Sequence, residues 1–105
     1  MTYRLRYFFD AGSGTCLWAA DAATEARYGY AVGLDALPLS DETRAALGRL
    51  IAAHDRSIDW SDPAGGDVRG AGDAERFAAA AREGLALLRR DLPSSSFEVV
   101  DERGA

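Results

Sequence analysis

Two short stretches of the 105-residue chain bring together side chains that can do chemistry. The first is DAGSGTC, residues 10–16, where Asp10, Ser13, Thr15 and Cys16 put a carboxylate, two hydroxyls and a thiol around Gly12 and Gly14. Backbone N–H groups in such a turn can cradle a phosphate, and a hydroxyl or thiol can act as a nucleophile. A tight turn needs the same glycines for a plainer reason, since they adopt positive φ without steric cost. The second stretch is HDRSIDWSDP, residues 54–63. It holds the chain's one His, with Asp55, Asp59 and Asp62 set around Ile58 and Trp60.

For the first stretch the tight turn is the preferred reading, with Asp10 and Ser13 bonding backbone N–H groups inside it. On Asp10, Gly12, Ser13, Gly14 and Thr15 it resembles the first phosphate motif of the actin-, hexokinase- and apyrase-like ATPases. That resemblance implies a phosphate-binding turn at Asp10, Gly12, Ser13 and Gly14. It also requires a second phosphate loop and an adenosine pocket between two large domains, more than 105 residues supply. The Walker pattern is absent, because the chain has no Lys. Ser13 stands in A-G-S-G-T, whereas a nucleophile elbow needs G-x-S-x-G at a strand-to-helix turn. The alternative catalytic pair is Cys16 with His54. Against it, a lone Cys in a strand behaves as a small buried hydrophobe, and His54 extends an apolar helical stripe.

The second stretch lacks the spacing and closing Glu of a calcium loop. One Cys and one His fall short of a zinc site, and no cofactor motif is present. Trp60 and Ile58 either pin the loop to the core or sit at a contact surface ringed by Asp55, Asp59 and Asp62. In the second case Trp is a favoured anchor, and an acidic rim steers a basic partner.

The elements that must position these residues follow from periodicity. In TYRLRYFF, Tyr3, Leu5, Tyr7 and Phe9 alternate with Thr2, Arg4, Arg6 and Phe8, which predicts a half-buried strand. TCLWAA, 15–20, is a second strand, joined by the AGSG turn. That loop pairs Tyr7 with Trp18 and sends Cys16 and Trp18 to the buried face. A DAGSG loop would slip the register by one and pair Arg6 with Trp18. Burying the larger aromatic favours the first. Asp21 caps a helix over 22–28 that Gly29 ends, and 30–39 reads as a loop. Ser40 caps a helix to about Asp55, with Leu47, Leu50, Ile51 and His54 on one face. A long Gly-rich loop follows, mobile over 61–72. Asp73 caps a last helix to Asp91, striped by Phe77, Ala81, Leu85, Leu88 and Leu92. FEVVD, 97–101, is the third strand.

The order β-β-α-α-α-β predicts one α+β domain over 1–105, a small three-stranded sheet in order 2-1-3 with the two main helices on one face. The third strand is then an edge, a route to dimers by strand addition, and the Arg4/Arg6 face offers sheet-to-sheet pairing. A net charge of −5 disfavours nucleic acid and suits a basic protein partner. The N-terminus is already strand-patterned and no apolar run spans a membrane, so the expectation is a cytoplasmic protein.

FFDAGSGTCLWAAD at 8–21, LDALPLSDETRAAL at 34–47, HDRSIDW at 54–60 and FEVVDE at 97–102 resemble a group of short actinobacterial proteins. The resemblance implies no particular chemistry; it points to a bacterial accessory protein rather than a fragment of an enzyme. The reading is a non-enzymatic protein–protein interaction module of the immunity or antitoxin type, acting on a basic partner through Trp60, Ile58, Asp55, Asp59 and Asp62. Two alternatives stand beside it: a small enzyme or ligand binder using the Asp10–Cys16 turn, and a structural homodimer subunit.

Overall fold

The computed structural model describes residues 2–10, 12–56 and 71–103. Among these residues four strands and three helices follow in the order β1 (Tyr3–Tyr7), β2 (Leu17–Ala19), α1 (Ala22–Tyr28), β3 (Ala31–Val32), α2 (Asp41–Arg56), α3 (Ala71–Asp91) and β4 (Phe97–Asp101), with a 3-10 turn over Leu34–Ala36. They form an α+β fold on one mixed sheet of order β3-β2-β1-β4. The alternating β1 is central, antiparallel to β2 and parallel to β4.

The expected three-stranded sheet gains a fourth strand. Ala31–Val32 pairs with β2, so β3 and β4 are the edges. Two residues are too few to show a period of two, which is why the segment reads as loop in the sequence.

The expected hairpin register is also corrected. Leu5 faces Ala19, Arg6 faces Trp18 and Tyr7 faces Leu17. The longer loop wins because Leu17 and Ala19, not Trp18, then join Leu5 and Tyr7 in the core under the helices. Trp18 loses nothing by this. On the other face its ring stacks on Phe8 at 4.9 Å, lies 5.4 Å from Tyr30, and its indole N–H donates to the Phe8 carbonyl at 3.1 Å. It is 6% exposed, so that small aromatic stack buries the indole as fully as the helix layer would. The guanidinium of Arg6 lies over Phe8, not over Trp18.

Helix ends follow their capping residues. Asp21 accepts from the Thr24 N–H at 2.9 Å, and the Gly29 N–H returns to the Glu25 carbonyl. At α2, the Ser40 hydroxyl accepts from the Thr43 N–H. Asp91, the last residue of α3, completes that cap from across the helix pair. Its carboxylate accepts from the Ser40 N–H and hydroxyl, the Thr43 hydroxyl and the Arg90 guanidinium. The Thr43 hydroxyl first, then Arg90, hold the Asp91 carboxyl well below the usual carboxylate range. Helix α3 begins at Ala71, two residues before the Asp73 expected to cap it. The expected mobile loop 61–72 lies outside the described residues except for 71 and 72, which are helical.

Helices α2 and α3 cross at Gly84. A Cβ there would stand 2.9 Å from Leu50 Cδ1 and 3.1 Å from both Leu47 Cδ2 and the Tyr7 hydroxyl. That hydroxyl, fully buried, donates to the Ala81 carbonyl at 2.8 Å. Burial pushes its pKa up, so Tyr7 stays a neutral donor.

Two stability outcomes follow. Gly84→Ala overpacks the crossing and costs about 1–3 kcal/mol in urea unfolding. Gly48→Ala, in α2 with nothing within 4 Å, gains up to about 1 kcal/mol through helix propensity. Asp91 gives a pH dependence. Its folded pKa lies below the unfolded value of about 3.9, so the unfolded chain takes up the proton first and stability falls as pH drops below about 4. Asp91→Asn is less stable near neutrality, and its stability falls less steeply with acid over that range, as acid titrations of unfolding will show.

Candidate functional site

The Asp10–Cys16 turn and the end of α2 meet at one pole of the molecule. Gly12 and Gly14 take φ of +82° and +77°, so the turn needs glycine at both positions. The Ser13 N–H and hydroxyl both donate to the Asp10 carbonyl, at 3.1 and 2.6 Å, and the Ser13 hydroxyl also meets the Thr15 backbone. Asp10 thus serves the turn through its main chain, and the residue is exposed. The Gly12 N–H donates to Asp55 Oδ1 at 2.9 Å, across 43 positions of sequence. This bond ties the turn to the last residues of α2.

Beneath the turn the side chains are apolar. His54 lies 5.8 Å from the rings of both Phe9 and Phe77, and Phe9 stands edge-on to Tyr7 and Phe77. Cys16 is fully buried in the core cluster, and burial pushes its thiol up to about 12. A reactive cysteine needs an electropositive, accessible setting that favours the thiolate, and this one has the opposite. The phosphate reading meets a different obstacle. Gly12, whose N–H such a loop would aim at phosphate, already gives it to a carboxylate, and the neighbouring Asp10 is acidic too. Among the described residues no group of three or more His, Cys, Asp or Glu is arranged to hold a metal ion.

Of the residues chosen in the sequence as a binding surface, Asp55 sits at this pole, half-buried. Ile58, Asp59, Trp60 and Asp62 lie outside the described residues. The sequence brought the two stretches together only as a Cys16–His54 pair; what it missed is the bond from Gly12 to Asp55 that ties them. A bond between Gly12 and a carboxylate so far along the chain leaves no local pattern.

The pole also receives the end of β4, since Tyr7 faces Asp101 in the parallel pair. Arg103 folds back there, donating to Asp101 at 2.8 Å and to the Ala78 carbonyl, with its guanidinium over the Tyr7 ring. Arg6 pairs with Glu102. Both cations are held by carboxylates of the last strand and its end, while the turn side of the pole presents the exposed Asp10.

The family model described as Serratia CdiI immunity protein-like matches residues 4–100, from β1 to β4. The chain belongs to that family. No curated protein matches it. Family membership makes the chain an immunity-type protein–protein interaction module, and a protein partner is what its surfaces must serve. Among the described residues no helix is long and apolar enough to cross a membrane.

An immunity-type module works by contact, and Cys16 is built accordingly. With a disulfide-forming thiol reagent near neutral pH, Cys16 is expected to stay unmodified in the folded protein and to react only as fast as the chain opens. Rapid labelling under native conditions would place the thiol at the surface.

Proposed function

We propose that this immunity-type module neutralises a basic protein toxin, and does so by binding rather than by catalysis. The contact surface in this reading is the pole where the Asp10–Cys16 turn meets the end of α2. The observation that carries it is the 2.9 Å bond from the Gly12 N–H to Asp55. It joins two acid-bearing segments into one surface, next to the point where the chain continues into Ile58, Asp59, Trp60 and Asp62. The net charge of −5 supports the same choice of partner. A rim of carboxylates around an aromatic anchor gives fast, oriented encounter with a basic surface, while the Trp supplies contact area. The turn is already held by its own hydrogen bonds, so little ordering is lost there when the partner arrives. A cytoplasmic site of action follows if the toxin acts there.

The test is association kinetics with a basic toxin domain that this chain neutralises in a co-expression screen, measured by surface plasmon resonance at low and high salt. Asp10→Asn and Asp59→Asn are expected to slow association several-fold at low salt and much less at high salt. Trp60→Ala is expected to act on dissociation and to weaken binding by about 2 kcal/mol or more. Association that is indifferent to salt and to all three substitutions would move the contact to another surface.

A further inference from the structure

A sheet that ends in an open strand can take up another, because the outer strand still presents N–H and C=O groups along its free side. The two edges of this sheet carry that hazard unequally. At one edge β3 is two residues long, too short to template a partner. At the other, β4 runs for five residues, FEVVD, and its Phe and two Val favour strand pairing.

Which groups of β4 face outward follows from its pairing with β1. The Tyr3 N–H donates to the Ser96 carbonyl, and the Glu102 N–H donates to the Tyr7 carbonyl, at the two ends of the parallel ladder. Successive residues of a strand turn their main-chain groups to opposite sides. Ser96, Glu98, Val100 and Glu102 therefore spend theirs on β1, and Phe97, Val99 and Asp101 turn theirs to the open side. Val99 is the middle of that side.

Two of these outward groups already have partners. The Phe97 N–H donates to the Pro93 carbonyl at 2.9 Å, within the turn that leads from α3 into β4. The Val99 carbonyl accepts from the Arg89 guanidinium at 2.8 Å. Arg89 belongs to the last turn of α3, and its exposed side chain reaches the strand from there. A cleft of about 420 Å³ lies beside the strand, lined by Thr2, Arg89, Leu92, Ser94, Phe97 and Val99 among others. This is room that an added strand could enter, and the guanidinium stands in it. Arg4, Arg6, Arg90 and Arg103 pair with carboxylates, whereas Arg89 gives a charged donor to a neutral carbonyl. A strand adding to β4 needs that carbonyl as its central acceptor. It must first displace a charge-assisted bond and cover a guanidinium left without an acceptor. We infer that Arg89 is a guard on the open edge of the sheet: by holding the Val99 carbonyl it keeps β4 of one copy from pairing with β4 of another. The guard goes beyond the toxin-binding reading and does not depend on it.

Sedimentation velocity and amide hydrogen exchange by NMR on the purified full chain test it. Arg89→Met keeps the stem and removes the donors; Arg89→Ala removes both. Each is expected to strengthen self-association by about tenfold or more over the wild type. The outward N–H groups of Val99 and Asp101 are expected to exchange fast in the wild type at every concentration. In the associated variants both are expected to slow, because they enter the new ladder. A side chain that only tied α3 to β4 would have the opposite signature, since its loss would loosen the strand and speed exchange. Circular dichroism and thermal melts show that each variant is folded. Folded variants that associate no more than the wild type up to millimolar concentration overturn the proposal. So does association that leaves the Val99 and Asp101 amides as fast as before, or concentration-dependent slowing of the two in the wild type.

Discussion

Gly84 is where the three layers of contact in this protein come together, and a hydrogen atom in place of a side chain is what allows it. Leu47 and Leu50 of α2, the backbone of α3 and the hydroxyl of Tyr7 all approach the same point. The close crossing lets Tyr7 reach the Ala81 carbonyl, which anchors the centre of the sheet to the helix layer. It also brings the two ends of the helix pair into range of each other's polar groups. At one end Asp91 closes the cap of α2. At the other, His54 and Phe77 pack under Phe9, and Asp55 reaches the Gly12 N–H.

Charge is distributed with the same economy. Several arginines at the sheet and the helix ends are committed to a neighbouring carboxylate: Arg4 to Glu98, Arg6 to Glu102, Arg90 to Glu42 and Asp91, Arg103 to Asp101. Such exposed pairs contribute little to stability, of order 0–1 kcal/mol each. Their larger effect is to cancel local fields, so the net negative charge is expressed away from them.

Much of the fold is legible in the sequence, because its signals are local. Asp21 and Ser40 mark helix starts, Gly29 marks an end, and the alternation of Tyr3 to Phe9 identifies the central strand. The parallel pairing of the last strand with the first follows from connectivity rules. What escapes has physical causes. The hairpin register turns on where Trp18 is buried, and the sequence does not reveal that Phe8 and Tyr30 build a second apolar pocket on the outer face. The two-residue β3 is too short to carry a pattern. At the candidate site, Asp55 is legible as an acid near an aromatic. Its service to the turn depends on how α2 lies across the sheet, which only tertiary packing decides. Cys16 is buried as a small hydrophobe in a strand is expected to be, although the register expected to bury it is not the one observed.

The parallel pair β1–β4 has a consequence in time. Arg6 and Glu102, which meet at its end, are 96 positions apart, and among the described strands β4 is made after the other three. Long-range pairings of this kind form slowly, because loop closure must come before the contacts that reward it. While the nascent chain lacks β4, the inner strand β1 has one open edge and Arg103 is not yet on the Tyr7 ring. The sheet, and with it the pole where β4 ends, is therefore completed only after β4 has been made.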